Sequence, residues 1–251
     1  MSEETRIRNV SAILFDLHLT ITDVTDDLMA MTRKASKAAG FDLSRLSDDE
    51  IRKEVESVVE WFNVYQVEND VDIHYGQEIE HWTDFNRNVY SRLGFENLND
   101  ETLHSIEREW KRLLDCWEEP RPDAVETLRV LHKRGYTLGL CTRRQDNPAK
   151  LLRKWGILDL FSTIQWSAVP GYAKPYPYTL ILAAHDIGVN PHRCAFVGNS
   201  VDADIMAAKR AGMVPILATW AYPTMKKETP DGTHIIGELS DLTTLFSALP
   251  R

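Results

Sequence analysis

Short apolar runs alternate with helical periodicity through the second half of the chain. Asn9–Phe15 (NVSAILF) is an apolar run that stops abruptly at Asp16. That pattern predicts a strand buried on both faces of a parallel sheet. Similar runs recur at Tyr136–Cys141, Arg193–Val197 and Met213–Thr219. Between them, Pro122–Arg134, Pro148–Trp155, Pro177–Ile187 and Asp202–Ala211 carry helical spacing. A further helix is expected around Ser240–Leu249. Strand alternating with helix predicts a doubly wound α/β sheet.

The stretch from Asp26 to Trp117 reads differently. It offers no convincing strand and carries helical periodicity over Asp26–Ala39, Ser47–Glu68, Gly76–Leu93 and Asp100–Trp117, punctuated by Gly40 and Gly94. The expected organisation is therefore an α/β core from residues 1–24 and 118–251, interrupted by a helical insert over 25–117. Thr22, Asp23 and the Glu118–Pro122 segment are expected to form the two crossing strands. The insert is rich in aromatics: Trp61, Phe62, Tyr65, Trp82, Phe85 and Tyr90. At helical spacing these are expected in a core rather than on a ligand platform. His74, His81 and Arg87 are the insert's candidates for a cleft. No internal repeat and no low-complexity tract is present.

Composition narrows the function classes. The chain has 251 residues, 43% apolar and 27% charged, enough to bury a core without disulfides. It carries 29 Lys and Arg against 38 Asp and Glu, a net charge of −9. Nucleic acid is a poor partner for such a balance. Cys116, Cys141 and Cys194 form no CxxC pair, which suggests reduced thiols and a cytoplasmic setting, with the cysteines as small buried apolar groups. No apolar run approaches a membrane span, and MSEETRIRNV has no secretory h-region. Monomer and homodimer both stay open.

The candidate chemistry falls at predicted strand ends, where open α/β sheets place ligands. Asp16, His18 and Thr20 follow the first strand. Thr142 and Arg143 follow the second, Lys174 lies in a proline-flanked loop, and Asn199, Asp202 and Asp204 follow Arg193–Val197. A strand-end carboxylate can attack as a nucleophile. A hydroxyl with nearby N–H groups can hold an anion. A lysine supplies a point charge for developing negative charge. Acidic and amide oxygens suit a hard cation or can orient the lysine. Arg143 and Arg144 are expected mainly as solvated surface arginines, with Arg143 a candidate contact to an anionic substrate.

These pieces resemble the haloacid dehalogenase-like (HAD) hydrolase superfamily, in its helical (C1-type) cap branch. The matching residues are FDxxxT at Phe15–Thr20, Thr142, KPxP at Lys174–Pro177, and FVGNSxxxDIxxAKxAGM at Phe196–Met213. The resemblance implies a Rossmann-like sheet with a mobile helical cap, and an aspartate nucleophile at Asp16. It implies a small anionic substrate, held by Thr20, Thr142, Arg143 and Lys174, and most members are Mg²⁺-dependent phosphatases. The metal would take Asp16, the backbone carbonyl of His18, Asn199 and Asp204.

Two positions depart from the family pattern. DxDxT becomes DxHxT, with His18 in the acid–base place, and GDxxxxD becomes GNxxxxD, with Asn199 at a metal-ligand place. Fewer carboxylates imply weaker Mg²⁺ binding. Histidine exchanges protons near neutral pH, so His18 is a candidate acid–base group. The leading expectation is a phosphatase acting on a small organic phosphate through an aspartyl intermediate on Asp16. A metal-independent dehalogenase and a ligand- or protein-binding member without turnover are the alternatives. The dehalogenase signatures, an aromatic two residues past the nucleophile and a serine–serine–asparagine motif, are absent.

Overall fold

A computed structural model describes residues 7–25, 27–69, 79–144, 146–223 and 229–250. The chain divides into two compact units: Met1–Asp23 with Pro120–Arg251, and Val24–Glu119.

The first unit is built on six parallel strands in the order β5-β4-β1-β6-β7-β8. They are β1 Ala12–Phe15, β4 Thr137–Thr142, β5 Phe161–Trp166, β6 Cys194–Gly198, β7 Val214–Ala218 and β8 His234–Ile236. The chain builds outward from β1 through β4 to β5, then returns to β6 on the other side of β1. That reversal opens a crevice at the carboxyl end of β1. Two short strands, β2 Thr22–Val24 and β3 Glu118–Pro120, pair where the chain passes between the units.

β1 is apolar throughout because both faces of the sheet are covered. Ile13 and Phe15 pack with Leu128 and Leu131 of α5 (Ala124–Lys133), Leu152 of α6 (Ala149–Lys154) and Leu242 and Leu245 of α9 (Leu242–Leu245). Ala12 and Leu14 face Leu180 and Ala183 of α7 (Tyr178–Asp186) and Ala207 and Ala208 of α8 (Met206–Ala211). Fully burying one such Leu or Phe contributes about 2 kcal/mol. Gly139 is required in β4, since a Cβ there would lie 2.5 Å from the Leu14 side chain.

The second unit holds α1 (Leu28–Ala38), α2 (Asp48–Glu68), α3 (Ile79–Arg92) and α4 (Asp100–Trp117). Among its described residues, strand occurs only at its two ends. The helix starts follow side-chain caps: Asp27 accepts from Ala30 N, Ser47 and Glu50 form a reciprocal capping box, and Asn99 accepts from Thr102 N. Phe41, Val58, Val89, Tyr90, Leu103 and Ile106 form its core. Burial pushes the Tyr90 hydroxyl up to about 12 while it shares a 2.6 Å hydrogen bond with Ser36 Oγ. The aromatics pack on one another, with Phe62 stacked on Tyr65 and 5.2 Å from Phe85 between ring centroids.

Several expectations change. β5 and β8 are strands that the hydrophobic pattern did not single out. The closing helix spans only Leu242–Leu245, after a 3₁₀ turn at Leu239–Asp241. Helix over Asp202–Ala211 begins with a π turn at Val201–Ile205 and becomes α-helical only at Met206. Cys116 is exposed rather than buried, while Cys141 and Cys194 are buried, and all three are free thiols. Arg87 is committed within its own unit, to Asp100 Oδ1 and the Leu98 carbonyl, each at 2.5 Å. Residues 76–78, at the start of the expected third insert helix, and His74 lie outside the described residues; His81 falls within α3.

Candidate active site

The register places Asp16 at the crevice. Phe15 lies opposite Leu140 on β4 and Val197 on β6, and Asp16 N donates to Val197 O at 2.8 Å as the chain leaves the sheet. The chain then turns tightly on one acceptor. The Leu17 carbonyl takes the N–H groups of Thr20 (3.2 Å), Ile21 (3.0 Å) and Thr22 (3.2 Å), and the Thr22 hydroxyl (3.1 Å). Leu19 completes the turn at φ 56°, in the left-handed region that side-chain-bearing residues avoid. The turn folds Thr20 back, so that its hydroxyl is shared between Asp16 Oδ2 (3.4 Å) and Asn199 Oδ1 (3.3 Å).

Lys174 enters from the loop after β5. Its Nζ lies 2.6 Å from Asp16 Oδ1 and 2.6 Å from Asp204 Oδ1. The ammonium also sits 5.2 Å from the ring centroid of Phe196 on β6. The loop contains a cis Lys174–Pro175 peptide and is held by Tyr176 N donating to Ala173 O and by Arg210 Nη1 donating to Pro175 O at 2.9 Å.

The acidic partner is set by the π turn after β6. Asp204 Oδ2 accepts from Ser200 N at 3.0 Å, while Ser200 Oγ accepts from Ala203 N at 3.2 Å. Asp204 thus closes back over the strand end. A Cβ at position 198 would lie 2.4 Å from the Asp204 side chain, so Gly198 is the residue that leaves room for it. Wide turns of this kind often occur at functional positions.

The three charged groups are buried: Asp16 is 6% exposed, Lys174 3% and Asp204 2%. Burial pushes the Asp16 carboxyl up to about 6, with the Asp204 charge adding to the rise and Lys174 opposing it. Burial alone would lower the Lys174 ammonium, but the carboxylates of Asp16 and Asp204 outweigh it and hold it above its ordinary value. One lysine therefore serves two carboxylates, leaving one net negative charge in a buried setting.

Five of the residues singled out in the sequence, Asp16, Thr20, Lys174, Asn199 and Asp204, form one hydrogen-bonded cluster. Thr142 is buried at the end of β4, beside β1, and its carbonyl accepts from Ser167 N at 3.1 Å. His18 is half-buried on the Asp16 turn. Arg143 is exposed, and Arg144 is committed to Asp146 at 2.9 Å. Asp202 is exposed beside the buried Asp204. Among the described residues, no group of three or more His, Cys, Asp and Glu side chains gathers as a metal cluster. The sequence reading missed Trp220, whose indole N–H donates to the Leu19 carbonyl at 2.9 Å. Its position two residues past β7 was the available signal, since loops at strand ends face the same crevice.

The model of the haloacid dehalogenase-like hydrolases matches residues 10–212. The chain belongs to this family of hydrolases. The resemblance noted in the four motifs is thus matched across most of the chain, and the HAD-like fold is shared by solved structures. A HAD phosphatase from Thermococcus onnurineus superimposes with a TM-score of 0.63, at 19% identity, over 95% of this chain and 99% of that one. A 2-haloacid dehalogenase from Pseudomonas syringae pv. Tomato superimposes with a TM-score of 0.64, at 20% identity, over 94% and 97%. Among relatives, the glyceraldehyde 3-phosphate phosphatase of Methanopyrus kandleri is 35% identical over 45% of this chain, a match spanning about half of that protein (49%). The phosphoglycolate phosphatase of Aquifex aeolicus is 24% identical over 93% of this chain and 95% of that protein. No helix among the described residues is long and apolar enough to cross a membrane.

Proposed function

We propose that this HAD-like hydrolase is a phosphatase of a small organic phosphate, with Asp16 as the nucleophile. The observation that carries the reading is the buried Lys174 ammonium, 2.6 Å from both Asp16 and Asp204. It supplies positive charge at the atom that must approach an anionic phosphoryl group. The relatives named above are phosphatases of three- and two-carbon phosphates, which supports the substrate class. The dehalogenase neighbour supports the fold alone.

In this mechanism an Asp16 carboxylate oxygen attacks phosphorus, and the bond to the ester oxygen breaks. The leaving oxygen takes a proton from His18. The resulting aspartyl phosphate is opened by water, whose proton returns to His18, and inorganic phosphate leaves. Lys174, Thr20 and the Thr142 end of β4 hold the transferring group, and Arg143 is a candidate contact to its outer oxygens. Asp204 positions Lys174. Residues 25–117 serve as the helical cap that selects the substrate.

The oxygen set at Asp16 suits Mg²⁺. Asp16 Oδ2 and Asn199 Oδ1 converge on a single hydroxyl at long distances, so both oxygens keep acceptor capacity. Asp16, Asn199 and the His18 carbonyl would hold the ion; the Asp204 oxygens are engaged, Oδ1 by Lys174 and Oδ2 by the Ser200 N–H. When bound, Mg²⁺ neutralises charge on the transferring phosphoryl group. One carboxylate and neutral oxygens make a weaker site than several carboxylates.

The test is turnover of p-nitrophenyl phosphate, phosphoglycolate and glyceraldehyde 3-phosphate with Mg²⁺ and with EDTA, beside Asp16→Asn. The expected result is Mg²⁺-stimulated release of phosphate that Asp16→Asn abolishes. Phosphate release that survives Asp16→Asn would overturn the mechanism. Halide release from 2-haloacids without phosphatase activity would overturn the substrate class.

A further inference from the structure

We infer that Trp220 is a positioning residue for the Asp16 turn: its indole N–H, clamped by Arg121, holds Leu19 in the left-handed conformation that aims His18 and Thr20. The inference rests on the function proposed above for its rate readout only. Leu19 lies at φ 56°, and its carbonyl accepts the indole N–H at 2.9 Å. The Thr20 N–H of the same peptide donates to Leu17 O at 3.2 Å, so the turn's own bonding holds one side of the Leu19–Thr20 peptide and the indole holds its carbonyl. The Leu19 amide reaches only a long 3.3 Å contact with Thr22 Oγ1.

The indole is itself held. The Arg121 guanidinium lies 4.5 Å from the Trp220 ring centroid and its Nη1 is 2.7 Å from Asp23 Oδ1. The Arg121 backbone N–H donates to Ile21 O at 3.0 Å. Two residues distant in sequence therefore grip the segment after Asp16 at Leu19, Ile21 and Asp23. Arg121 directly follows β3, so the same guanidinium ties the chain's return crossing to this turn.

The residues on either side of Leu19 are His18 and Thr20. Thr20 reaches Asp16 and Asn199 only at 3.3–3.4 Å, so a small rotation at Leu19 breaks both contacts. Without the indole N–H, the left-handed conformation loses one of the two bonds that hold this peptide, and leucine's preference for the right-handed regions opposes it.

Trp220→Phe removes the N–H and keeps an aromatic ring beneath Arg121. The expected result is a fall in kcat of about tenfold on p-nitrophenyl phosphate, the order of loss for a sub-ångström misplacement. KM stays within about twofold and Tm within about 2 °C, as expected where an interaction serves the turnover step rather than binding. Deuterium uptake rises in peptides covering 16–22 and nowhere else. Adding Leu19→Asn, which tolerates positive φ, restores a measurable part of kcat and of the protection. Unchanged exchange over 16–22 in Trp220→Phe overturns the inference. So does a rise in exchange spread over the whole sheet with a lowered Tm, which marks a packing role. Should wild type release no phosphate, the proposed function fails, and the exchange measurements alone decide the role of Trp220.

Discussion

Replacing Lys174 by methionine keeps the length of a buried side chain and deletes its charge. In the native site the ammonium lies 2.6 Å from one oxygen of Asp16 and 2.6 Å from one oxygen of Asp204. Those two oxygens are therefore at most about 5 Å apart, and two ionised carboxylates at that distance repel by about 3 kcal/mol at an effective dielectric near 20. Deleting one partner of a buried charge cluster costs about 3–5 kcal/mol in general. The variant escapes part of this by binding a proton, because a neutral carboxyl can replace the missing ammonium as a donor. The penalty must then depend on pH.

The sign follows from proton counting. In the unfolded chain both aspartates are ionised above about pH 5. The folded variant keeps one extra proton to higher pH than wild type does, because burial and the neighbouring carboxylate disfavour the second charge and no ammonium opposes them. Over that window unfolding becomes easier by about 1.4 kcal/mol per pH unit. In wild type, burial raises Asp16 only to about 6, so its extra proton is gone above that pH and the slope ends there. The stability gap between the two proteins should thus widen above pH 6, at up to about 1.4 kcal/mol per pH unit while the variant keeps that proton. Urea denaturation in EDTA at pH 5, 6, 7 and 8 measures it. A gap that is flat with pH, or below about 1 kcal/mol throughout, refutes the shared-lysine account of the site.

Three further outcomes follow from the same geometry. Asn199→Asp adds a charged oxygen ligand and should tighten Mg²⁺ by about tenfold or more in calorimetric titration, about 1.4 kcal/mol; unchanged affinity would place the ion elsewhere. Gly198→Ala puts a Cβ 2.4 Å from Asp204 and should lower stability by about 1–3 kcal/mol with loss of turnover; a stable, active variant would mean that Asp204 need not close over the strand end. His18→Ala should remove the pH-dependent limb of kcat assigned to proton transfer, and an unchanged profile excludes His18 from that role.

How much of this was legible in the sequence differs by element. β1 announced itself because both its faces are covered, which leaves an unbroken apolar run stopped by a carboxylate. β5 did not, because it is an edge strand: in FSTIQW the buried Phe161, Thr163 and Gln165 alternate with more exposed residues, and Thr163 and Gln165 are buried while bonded to Asp186. Polar residues satisfied by a neighbouring helix leave no hydrophobic signature. The π turn was hidden because Asp202–Ala211 has ordinary helical composition; what widens its first turn is the side chain of Asp204 folding back on Ser200. Asp16, Thr20, Lys174, Asn199 and Asp204 could be grouped from strand ends and motif spacing. The hydrogen bonds among them, and the sharing of one lysine by two acids, required coordinates. Trp220 could be placed near the strand ends by its position two residues past β7, but its bond could not be read, because its partner is a backbone carbonyl, which any residue carries.

His18 and Asn199 acquire a joint meaning from the charge of the cluster. Each stands where the family pattern has an aspartate, and the remaining Asp16, Asp204 and Lys174 sum to one negative charge. A phosphate dianion meets less repulsion here than at a site with two more carboxylates, and Lys174 neutralises a larger share of what remains. A cation is held less tightly for the same reason. Turnover should therefore persist in part in EDTA. Restoring both acids, His18→Asp with Asn199→Asp, should tighten Mg²⁺ by well over tenfold and make turnover strictly dependent on it. The comparison is the ratio of kcat/KM with Mg²⁺ to that in EDTA. The ratio must be larger in the double variant than in wild type. Equal ratios would mean that the two substitutions leave the electrostatics of phosphoryl transfer untouched, and that Lys174 carries no more of the charge here than in a site with the full acidic set.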